Sequence, residues 1–223
     1  MQCGAFADTP EDRGLCRRCL EQVPRLDRHA VCEKCGYPLP VAGIAGCCPI
    51  CAETDFPFDL ARAAGPYEPL LREWIHRYKF DRQTGLHLPL GRLLAAEYHR
   101  TMAGLDFECV TWVPLHPGRL RERGFDQARL LAKTVAGAAG RPLRRLLKRT
   151  RATAAQSSLP LTGRNANVRG AFAPTRACAG LGGALIVDDI FTTGATLGEC
   201  ARALLAGGVE RVYVLTLARV VLN

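Results

Sequence analysis

The most constraining feature of the sequence is an apolar run that leads directly into two carboxylates and a turn rich in threonine. The run begins at Leu185 and ends at Asp188 and Asp189, and a segment with helical spacing follows. The turn between them consists of Thr192, Thr193, Gly194, Ala195 and Thr196. This order predicts a strand, a turn and a helix. Because open α/β sheets bind ligands at the carboxyl ends of their strands, we expect the carboxylates and the turn to face a ligand.

The chemistry of this segment suits a phosphorylated ribose. The turn can aim backbone N–H groups and three threonine hydroxyls at one phosphate, and the dipole of the following helix adds to the attraction. Gly194 permits the close approach or the positive φ that such a cradle needs. Asp188 and Asp189 can each accept a hydrogen bond from one of two vicinal hydroxyls. The alternatives are an ordinary turn after a capped strand and an acidic phosphoacceptor pocket, and the threonine-rich turn argues against the pocket.

Apolar runs and helical segments alternate along the rest of the chain. The apolar runs predict strands at residues 60–67, 109–113, 184–187 and 212–217. Apolar residues at helical spacing predict helices at residues 68–80, 88–100, 125–139 and 195–206. This alternation implies an α/β fold, with a mostly parallel sheet covered by helices on both faces. We assign this domain to residues 57–223.

Eight of the eleven cysteines fall within the first 51 residues. Three Cys-x-x-Cys pairs begin at Cys16, Cys32 and Cys48, with twelve residues between successive pairs. Two thiolates on a tight turn supply half of a tetrahedral zinc site, so these pairs predict bound zinc in a small module at residues 1–56. The first two pairs alone would suit one zinc ribbon and leave the third pair over. The three remaining cysteines are expected to be small buried residues: Cys109, Cys178 and Cys200.

Together these motifs resemble the ComF family, whose ComFC-type members are associated with natural competence and DNA uptake. The resemblance extends from Cys3 to Arg219. It rests on residues 185–196, which are similar to the signature of type I phosphoribosyltransferases for 5-phosphoribosyl 1-pyrophosphate (PRPP). It also rests on residues 112–115, 119–128, 149–156 and 164–172. One departure is Asp126, where the family usually has asparagine. The resemblance implies a double zinc ribbon ahead of a type I phosphoribosyltransferase-like domain that binds PRPP with Mg²⁺.

The resemblance also implies a pairing of the zinc ligands. One site would consist of Cys32, Cys35, Cys48 and Cys51. A second would contain Cys3, Cys16 and Cys19 and would lack a fourth ligand. Either the true start of the protein lies before Met1, or His29, Cys47 or a water molecule completes the second site.

Other segments suit the pyrophosphate of PRPP. Pyrophosphate and Mg²⁺ need a loop near the end of the strand at residues 109–113, where Leu115 and His116 lie. Three nearby arginines can neutralise the charge: Arg119, Arg121 and Arg123. The long basic stretch at residues 148–169 fits a mobile hood that closes over the pyrophosphate and excludes water. Our candidates within the hood are Arg149, Arg151, Thr153 and Gln156. Arg149 and Arg151, with the two aspartates, are the residues that we expect to act in any transfer.

The formal net charge of +9 is concentrated in one segment. Residues 115–170 carry thirteen Lys or Arg against Glu122 and Asp126, a net charge of +11, and the rest of the chain sums to −2. We expect a polyanionic partner, single-stranded DNA, and the alternative is a solvated basic face. No run approaches the roughly 18 apolar residues of a membrane span, and no basic-then-apolar signal follows Met1. We therefore expect a cytoplasmic location.

Two functional classes fit these features. The first is an enzyme that transfers a phosphoribosyl group from PRPP to an unidentified acceptor, in a protein implicated in DNA uptake and transformation. The second is a non-catalytic PRPP-binding adaptor whose zinc module and basic segment engage single-stranded DNA or a DNA-uptake helicase. The sequence identifies neither an acceptor pocket nor a group that would activate the acceptor.

Overall fold

The computed structural model describes residues 15–26, 30–39, 46–80, 83–152 and 168–221. Four residues singled out in the sequence lie outside these ranges: Cys3, His29, Thr153 and Gln156. None of the helices in the described ranges combines the length and the apolar character that crossing a membrane requires.

Helices and strands alternate through most of the described chain. The helices are α1 (Arg17–Glu21), α2 (Pro49–Glu53), α3 (Pro69–Phe80), α4 (His87–Thr101), α5 (Pro117–Arg123), α6 (Gln127–Ala139) and α7 (Ala195–Ala206). The strands are β1 (Leu60–Pro66), β2 (Cys109–Trp112), β3 (Leu147–Arg149), β4 (Phe172–Pro174), β5 (Ala184–Phe191) and β6 (Val212–Arg219). Short 3₁₀ turns occupy Thr84–Leu86 and Arg176–Cys178.

Four of the strands form a parallel sheet in the order β1-β6-β5-β2. The strand β5 lies between β2 and β6, so that Ile186 is opposite Thr111 on one side and Val214 on the other. The strands β3 and β4 form a separate antiparallel pair. Because all four strands of the main sheet run in the same direction, their carboxyl ends meet at one edge, where Asp188 and Asp189 lie. The prediction of an α/β fold with a mostly parallel sheet is confirmed.

Alternate residues of β5 face two different apolar clusters. Leu185 and Val187 pack into the cluster formed with α3, α4 and α6, and Ala184 and Ile186 pack into the cluster that contains α7. This period of two is that of a strand covered on both faces, which explains why the strand is a continuous apolar run in the sequence. The expectation that helices cover both faces of the sheet is therefore also confirmed.

The cysteine-rich segment covers the edge strand β1. The backbone N–H of Ala61 donates to the carbonyl of Lys34 at 2.7 Å, and the Arg62 guanidinium donates to the carbonyl of Glu33 at 3.0 Å. A bare edge strand would present unpaired backbone groups to other chains, and this cover prevents that. The boundary at residue 57 remains a prediction, because cysteines before it lie in the same apolar clusters as the sheet.

Several elements differ from their predicted bounds. The strand β5 extends four residues beyond the predicted 184–187, because its pairing with β6 satisfies the backbone of the polar residues that follow. The predicted helix at 125–139 begins at Gln127, since the side chain of Asp126 caps it. The helix α5 and the pair β3–β4 were not predicted. Lys148 and Arg149, at which the proposed hood begins, lie in β3, and the hood itself stays a prediction because residues 153–167 lie outside the described ranges.

Candidate functional site

Two carboxylates lie side by side near the carboxyl end of β5. The backbone N–H of Asp189 donates to Oδ1 of Asp188 at 2.9 Å, and Asp188 lies opposite Thr216 in the sheet. Burial raises the pKa of Asp188 well above its usual range, and the neighbouring charge of Asp189 raises it further. A carboxylate pair with one partly buried and one buried member gains free energy from any cation or hydroxyl donor that reaches it.

A lysine from a distant part of the chain already contacts this pair. Nζ of Lys79, near the end of α3, lies 2.8 Å from Oδ1 of Asp189, and the two side chains are only 18% and 12% exposed. Lys79 is not among the site residues predicted from the sequence, because the two partners are 110 residues apart. The only available signal was its place at the end of a helix whose apolar face had been identified.

Arg123, the last residue of α5, also approaches the acidic pair. Burial lowers the pKa of Arg123, and its attraction to Asp189 opposes that effect. Its guanidinium carbon lies 5.2 Å from the ring centre of Phe80, which is the residue after Lys79. The structure therefore brings together Asp189, Lys79 and one of the three arginines that were predicted to meet pyrophosphate.

The turn after β5 has the predicted strand–turn–helix form. Gly194 adopts φ of 82° and stands at the N-cap of α7, where it has no side chain with which to cap the helix. The Thr193 hydroxyl accepts from the backbone N–H of Ala195 at 3.4 Å. Thr192, Thr193 and Thr196 are partly exposed, whereas Gly194 and Ala195 are buried. This arrangement presents the start of a twelve-residue helix and threonine hydroxyls at the same edge of the sheet as Asp188.

Gly194 has a second constraint that is visible only in three dimensions. A Cβ atom at this position would lie 2.5 Å from a ring carbon of Phe56. The Phe56 ring also lies 6.0 Å from the ring of Phe191, edge to face. The turn is therefore packed against the segment that follows the third cysteine pair.

The predicted pyrophosphate loop is fixed by its own neighbours. Nδ1 of His116 accepts from the backbone N–H of Gly118 at 3.2 Å and so caps α5. Asp126 holds the residues that lead into the loop. Nε1 of Trp112 donates to its carboxylate at 3.0 Å, and the backbone N–H of Leu115 donates to it as well. In each of these contacts Asp126 acts as an acceptor, a role that its carboxylate fills without the amide that the family usually has here.

The two arginines assigned to the hood lie in different settings. Arg149 is partly buried on β3, with its guanidinium carbon 5.2 Å from the ring centre of Phe172 and within electrostatic reach of Asp188. Arg151 is exposed and donates to the carbonyl of Arg169 at 3.0 Å. Arg119 lies within reach of Arg149, and Arg121 is exposed on α5. Lys79, Arg123 and Arg149 thus lie within electrostatic reach of the carboxylates, which suits a ligand with both hydroxyl groups and several negative charges.

Four cysteines form a second site. The sulfur atoms of Cys32, Cys35, Cys48 and Cys51 all lie within 4.8 Å of one another, and those of Cys35 and Cys48 are 3.5 Å apart. A tetrahedral zinc site with Zn–S bonds of about 2.3 Å separates its sulfurs by about 3.8 Å. Burial opposes ionisation of Cys32, but backbone hydrogen bonds, including those from Cys35 and Cys48, lower its pKa to about 7. The cluster has the donors and the spacing to hold a metal ion.

A buried cation provides an independent test of this fit. Arg219, the last residue of β6, is 1% exposed, and its Nη2 donates to Sγ of Cys35 at 3.2 Å. Its Nε and Nη1 atoms are buried, and no group in the described part of the chain forms a hydrogen bond with them. A buried guanidinium requires nearby negative charge, which a metal-bound set of thiolates would supply. The residues present therefore fit a metal held by four thiolates.

The other cysteines are distributed on both sides of the sheet. Cys16 and Cys19 have their sulfurs 3.7 Å apart and lie in the apolar cluster with α3 and α4. The exposed Cys47 interacts with Cys32 and so lies beside the four-cysteine cluster. As expected, the three cysteines later in the chain are fully buried: Cys109, Cys178 and Cys200.

Comparison with solved structures finds distant likenesses. The allosteric regulatory enzyme of purine biosynthesis has a TM-score of 0.41 and 21% identity, over 59% of this chain and 26% of the enzyme. The glutamine PRPP amidotransferase of B. subtilis, complexed with ADP and GMP, has a TM-score of 0.40 and 23% identity over the same shares. The chain thus spans about a quarter of these enzymes.

Comparison with curated proteins finds relatives along nearly the whole chain. No family model matches the chain. The DNA utilization protein YhgH of Salmonella typhimurium is 34% identical over 210 residues, which cover 92% of this chain and 90% of the relative. Competence protein F of Haemophilus influenzae is 32% identical over the same shares, and competence protein ComFC of Bacillus subtilis is 25% identical over 88% of this chain and 80% of its own. With such relatives along its length, the chain belongs to the ComF family.

Proposed function

We propose that this chain binds PRPP together with Mg²⁺ at the carboxyl edge of its sheet and acts in DNA uptake. The observation that carries the proposal is the placement of Asp188 and Asp189 beside Lys79 and the glycine-capped start of α7. One edge of the sheet thus combines three kinds of binding group. The carboxylates can accept from hydroxyls, the start of the helix can bind a phosphate, and the cations can neutralise a polyanion. The names of the relatives, which refer to competence and DNA utilization, support the role in DNA uptake.

Each part of PRPP has residues to receive it in this proposal. Asp188 and Asp189 accept hydrogen bonds from the ribose hydroxyls. The 5-phosphate binds the turn formed by Thr192, Thr193, Gly194, Ala195 and Thr196. The pyrophosphate binds near the loop of Leu115 and His116, and the arginines that meet it are Arg119, Arg123, Arg149 and Arg151. Mg²⁺ enters as part of the ligand, because it neutralises pyrophosphate oxygens that the arginines leave uncovered.

A transfer reaction at this site would break the bond between C1 of the ribose and the pyrophosphate oxygen. The pyrophosphate leaves with the bonding electrons, and the acceptor forms the new bond to C1. The contribution of the chain is electrostatic: cations already in place stabilise the charge that develops on the leaving group. The alternative is an adaptor that binds PRPP without turnover and engages single-stranded DNA or a helicase.

We also propose that the four-cysteine cluster holds zinc. Cys32, Cys35, Cys48 and Cys51 would be its ligands, and a closed set of four thiolates makes the ion structural, because no position remains for a substrate. Cys3, Cys16 and Cys19 remain candidates for a second, incomplete site. Residues 1–56 would then form the metal-binding module and residues 57–223 the PRPP-binding domain, and the predicted location is the cytoplasm.

Replacement of the acidic pair tests the PRPP proposal. In Asp188→Asn and Asp189→Asn we expect PRPP affinity to fall at least about 10-fold, since hydrogen bonds to charged groups contribute about 1.5–3 kcal/mol. The measurement is isothermal titration calorimetry with PRPP and Mg²⁺. Asp106→Asn is the matched control, because Asp106 is exposed and pairs with Arg211 at the amino-terminal edge of the sheet. Unchanged affinity in the double variant would refute ribose binding by this pair.

A second measurement separates the enzyme from the adaptor. The zinc-loaded protein is incubated with PRPP and Mg²⁺, and pyrophosphate release is followed with single nucleobases or single-stranded DNA added. Release that depends on one acceptor supports transfer. PRPP binding without release for every acceptor supports the adaptor.

A further inference from the structure

The strongest feature that the PRPP proposal does not use is the buried Arg219. It lies between the four-cysteine cluster and the turn that follows β5. Among the described residues no carboxylate forms an ion pair with its guanidinium: the one side-chain hydrogen bond goes to Cys35, and the groups that stabilise its charge are the four cysteines. An apolar or neutral neighbour would leave a buried positive charge uncompensated, which is costly.

A divalent metal ion with four thiolates has a net charge of minus two, whereas four protonated thiols have none. The guanidinium of Arg219 therefore compensates part of the charge of the metal-loaded cluster and fixes the orientation of Cys35 through the hydrogen bond from Nη2. Groups that orient metal ligands in this way commonly contribute about 10- to 100-fold to metal affinity.

The planar face of the guanidinium packs on the residue that precedes the turn. The guanidinium carbon of Arg219 lies 3.8 Å from the ring centre of Phe191, and Phe191 is the residue immediately before Thr192. The Tyr37 ring, two residues after Cys35, lies on the same guanidinium at 5.3 Å. Arg219 thus touches a metal ligand and the residue that enters the turn.

A second set of contacts connects the cysteine segment to the turn after β5. Phe56, five residues after Cys51, stacks on Phe58 with ring centres 5.0 Å apart, and both rings meet Phe191 edge to face at 6.0 Å. The Phe56 ring also fills the space beside Gly194. Loss of order in the cysteine segment would therefore remove one wall of the turn.

We propose that Arg219 is a positioning residue that compensates the charge of a metal–tetrathiolate site and couples metal binding to the shape of the phosphate-binding turn. The coupling rests on the proposed binding of PRPP at the turn, and the charge compensation does not. Arg219 touches neither the carboxylates nor the expected ligand, so it acts through Cys35 and Phe191.

Two substitutions at position 219 test the proposal. Arg219→Met keeps an unbranched side chain without charge, and Arg219→Lys keeps the charge without the planar group. Zinc content is measured by elemental analysis and zinc affinity by competition with a chelator. We expect Arg219→Met to lower zinc affinity about 10- to 100-fold, with Arg219→Lys between it and the wild type. Arg211→Met is the control. Arg211 immediately precedes β6, at the opposite end of this strand from Arg219, and its partners are Gly182 and Asp106.

Two further readouts separate charge compensation from general loss of packing. In cobalt-loaded protein, Arg219→Lys should shift the thiolate-to-cobalt charge-transfer band, because the hydrogen bond to Cys35 changes. In zinc-loaded protein, Arg219→Met should weaken PRPP affinity about 2- to 30-fold, the usual size of such coupling. The wild type from which a chelator has removed zinc, assayed with Mg²⁺ after the chelator itself has been removed, should also lose PRPP affinity. This measurement keeps the test decisive if a variant fails to fold.

The outcomes distinguish this proposal from the function on which part of it rests. Zinc affinity and a cobalt spectrum that are unchanged in both variants would overturn the charge compensation. Altered zinc affinity with unchanged PRPP affinity would overturn the coupling. If the wild type itself does not bind PRPP, the proposed function fails, and the zinc and cobalt measurements still decide the role of Arg219.

Discussion

At the scale of single residues, the site holds charges that folding alone would not favour. Asp188 is placed in a partly buried position beside a second carboxylate, and its pKa is raised mainly by burial. Lys79 offsets part of this cost by pairing with Asp189. Such an arrangement is typical of binding sites, where a group that binds a ligand lowers the free energy of unfolding.

This cost gives a prediction on stability and pH. The pKa of Asp188 is higher in the folded protein than its usual 3.8. At a pH between the unfolded and the folded pKa, the folded state therefore binds more protons than the unfolded state. The stability contribution of this group therefore falls as pH rises through that window. We expect Asp188→Asn to raise the free energy of unfolding at neutral pH, because the amide carries no charge that burial would penalise.

The measurement is urea denaturation of Asp188→Asn and the wild type at neutral and at mildly acidic pH. The gain should shrink as pH falls, because the wild-type carboxyl then becomes protonated. Asp106→Asn serves again as the control, as its carboxylate is 74% exposed. A variant that is less stable than the wild type at neutral pH would contradict this account of the site.

At the scale of elements, the turn between β5 and α7 depends on both its backbone and its packing. Gly194 has a positive φ, which favours glycine, and it also lies against Phe56. Gly124, at the end of α5, has nearly the same φ, 81°, with nothing within 4 Å of the position of a Cβ atom. Substitution of Gly124 by alanine therefore measures the cost of the backbone conformation alone. The same substitution at Gly194 adds the cost of the contact with Phe56.

We expect Gly124→Ala to destabilise the protein by about 1–2 kcal/mol, the cost of a left-handed conformation for alanine. Gly194→Ala should cost more, because the added Cβ must displace the Phe56 ring. Thermal unfolding of the two variants gives the comparison, and calorimetry with PRPP should detect weaker binding in Gly194→Ala. Equal losses of stability would contradict the contact between Phe56 and the turn.

At the scale of the whole molecule, the basic segment divides between two places. Arg149 lies within electrostatic reach of Asp188, at the carboxyl edge of the sheet. Arg141 lies over the ring of Phe107, just before β2, and Arg144 lies near Cys109, the first residue of β2. Arg145, the next residue in the chain, is exposed as Arg144 is. The described arginines therefore provide one group for the acidic site and another group beyond the amino-terminal end of β2.

This division predicts that DNA and PRPP bind together. Replacement of Arg141, Arg144 and Arg145 by glutamine should weaken binding of single-stranded DNA and reduce the slope of log K against log salt by about 2, at about 0.7 per phosphate contact. PRPP affinity should stay unchanged. Fluorescence anisotropy with labelled DNA, titrated with salt and then with PRPP and Mg²⁺, makes the measurement.

The control carries the same change at three exposed arginines elsewhere in the described chain, namely Arg17, Arg72 and Arg202. It removes equal charge but should leave the salt slope unaltered. Competition between PRPP and DNA in the wild type would contradict the separation of the two groups. No DNA binding at low salt would remove the direct role in DNA binding and leave the PRPP proposal in place.

The sequence by itself determined the local parts of this protein. Periodicity predicted the four strands of the parallel sheet and four of the helices, α3, α4, α6 and α7, because side-chain burial repeats with the period of each element. The order of Leu185, Asp188 and Gly194 predicted a strand, a turn and a helix, since each step depends on near neighbours in the chain. The spacing of cysteine pairs predicted a metal site, and four of the cysteines cluster accordingly.

Only the tertiary structure decided which distant residues meet. Lys79 contacts Asp189 across 110 positions, and Arg219 contacts Cys35 across 184. The sequence pattern predicts that Lys79 lies at the polar end of a helix and Arg219 at the polar end of a strand. Both side chains would therefore be expected in solvent. Packing of the helices and of the cysteine segment against the sheet buries them instead. Their partners depend on which elements become neighbours, and no local pattern records that.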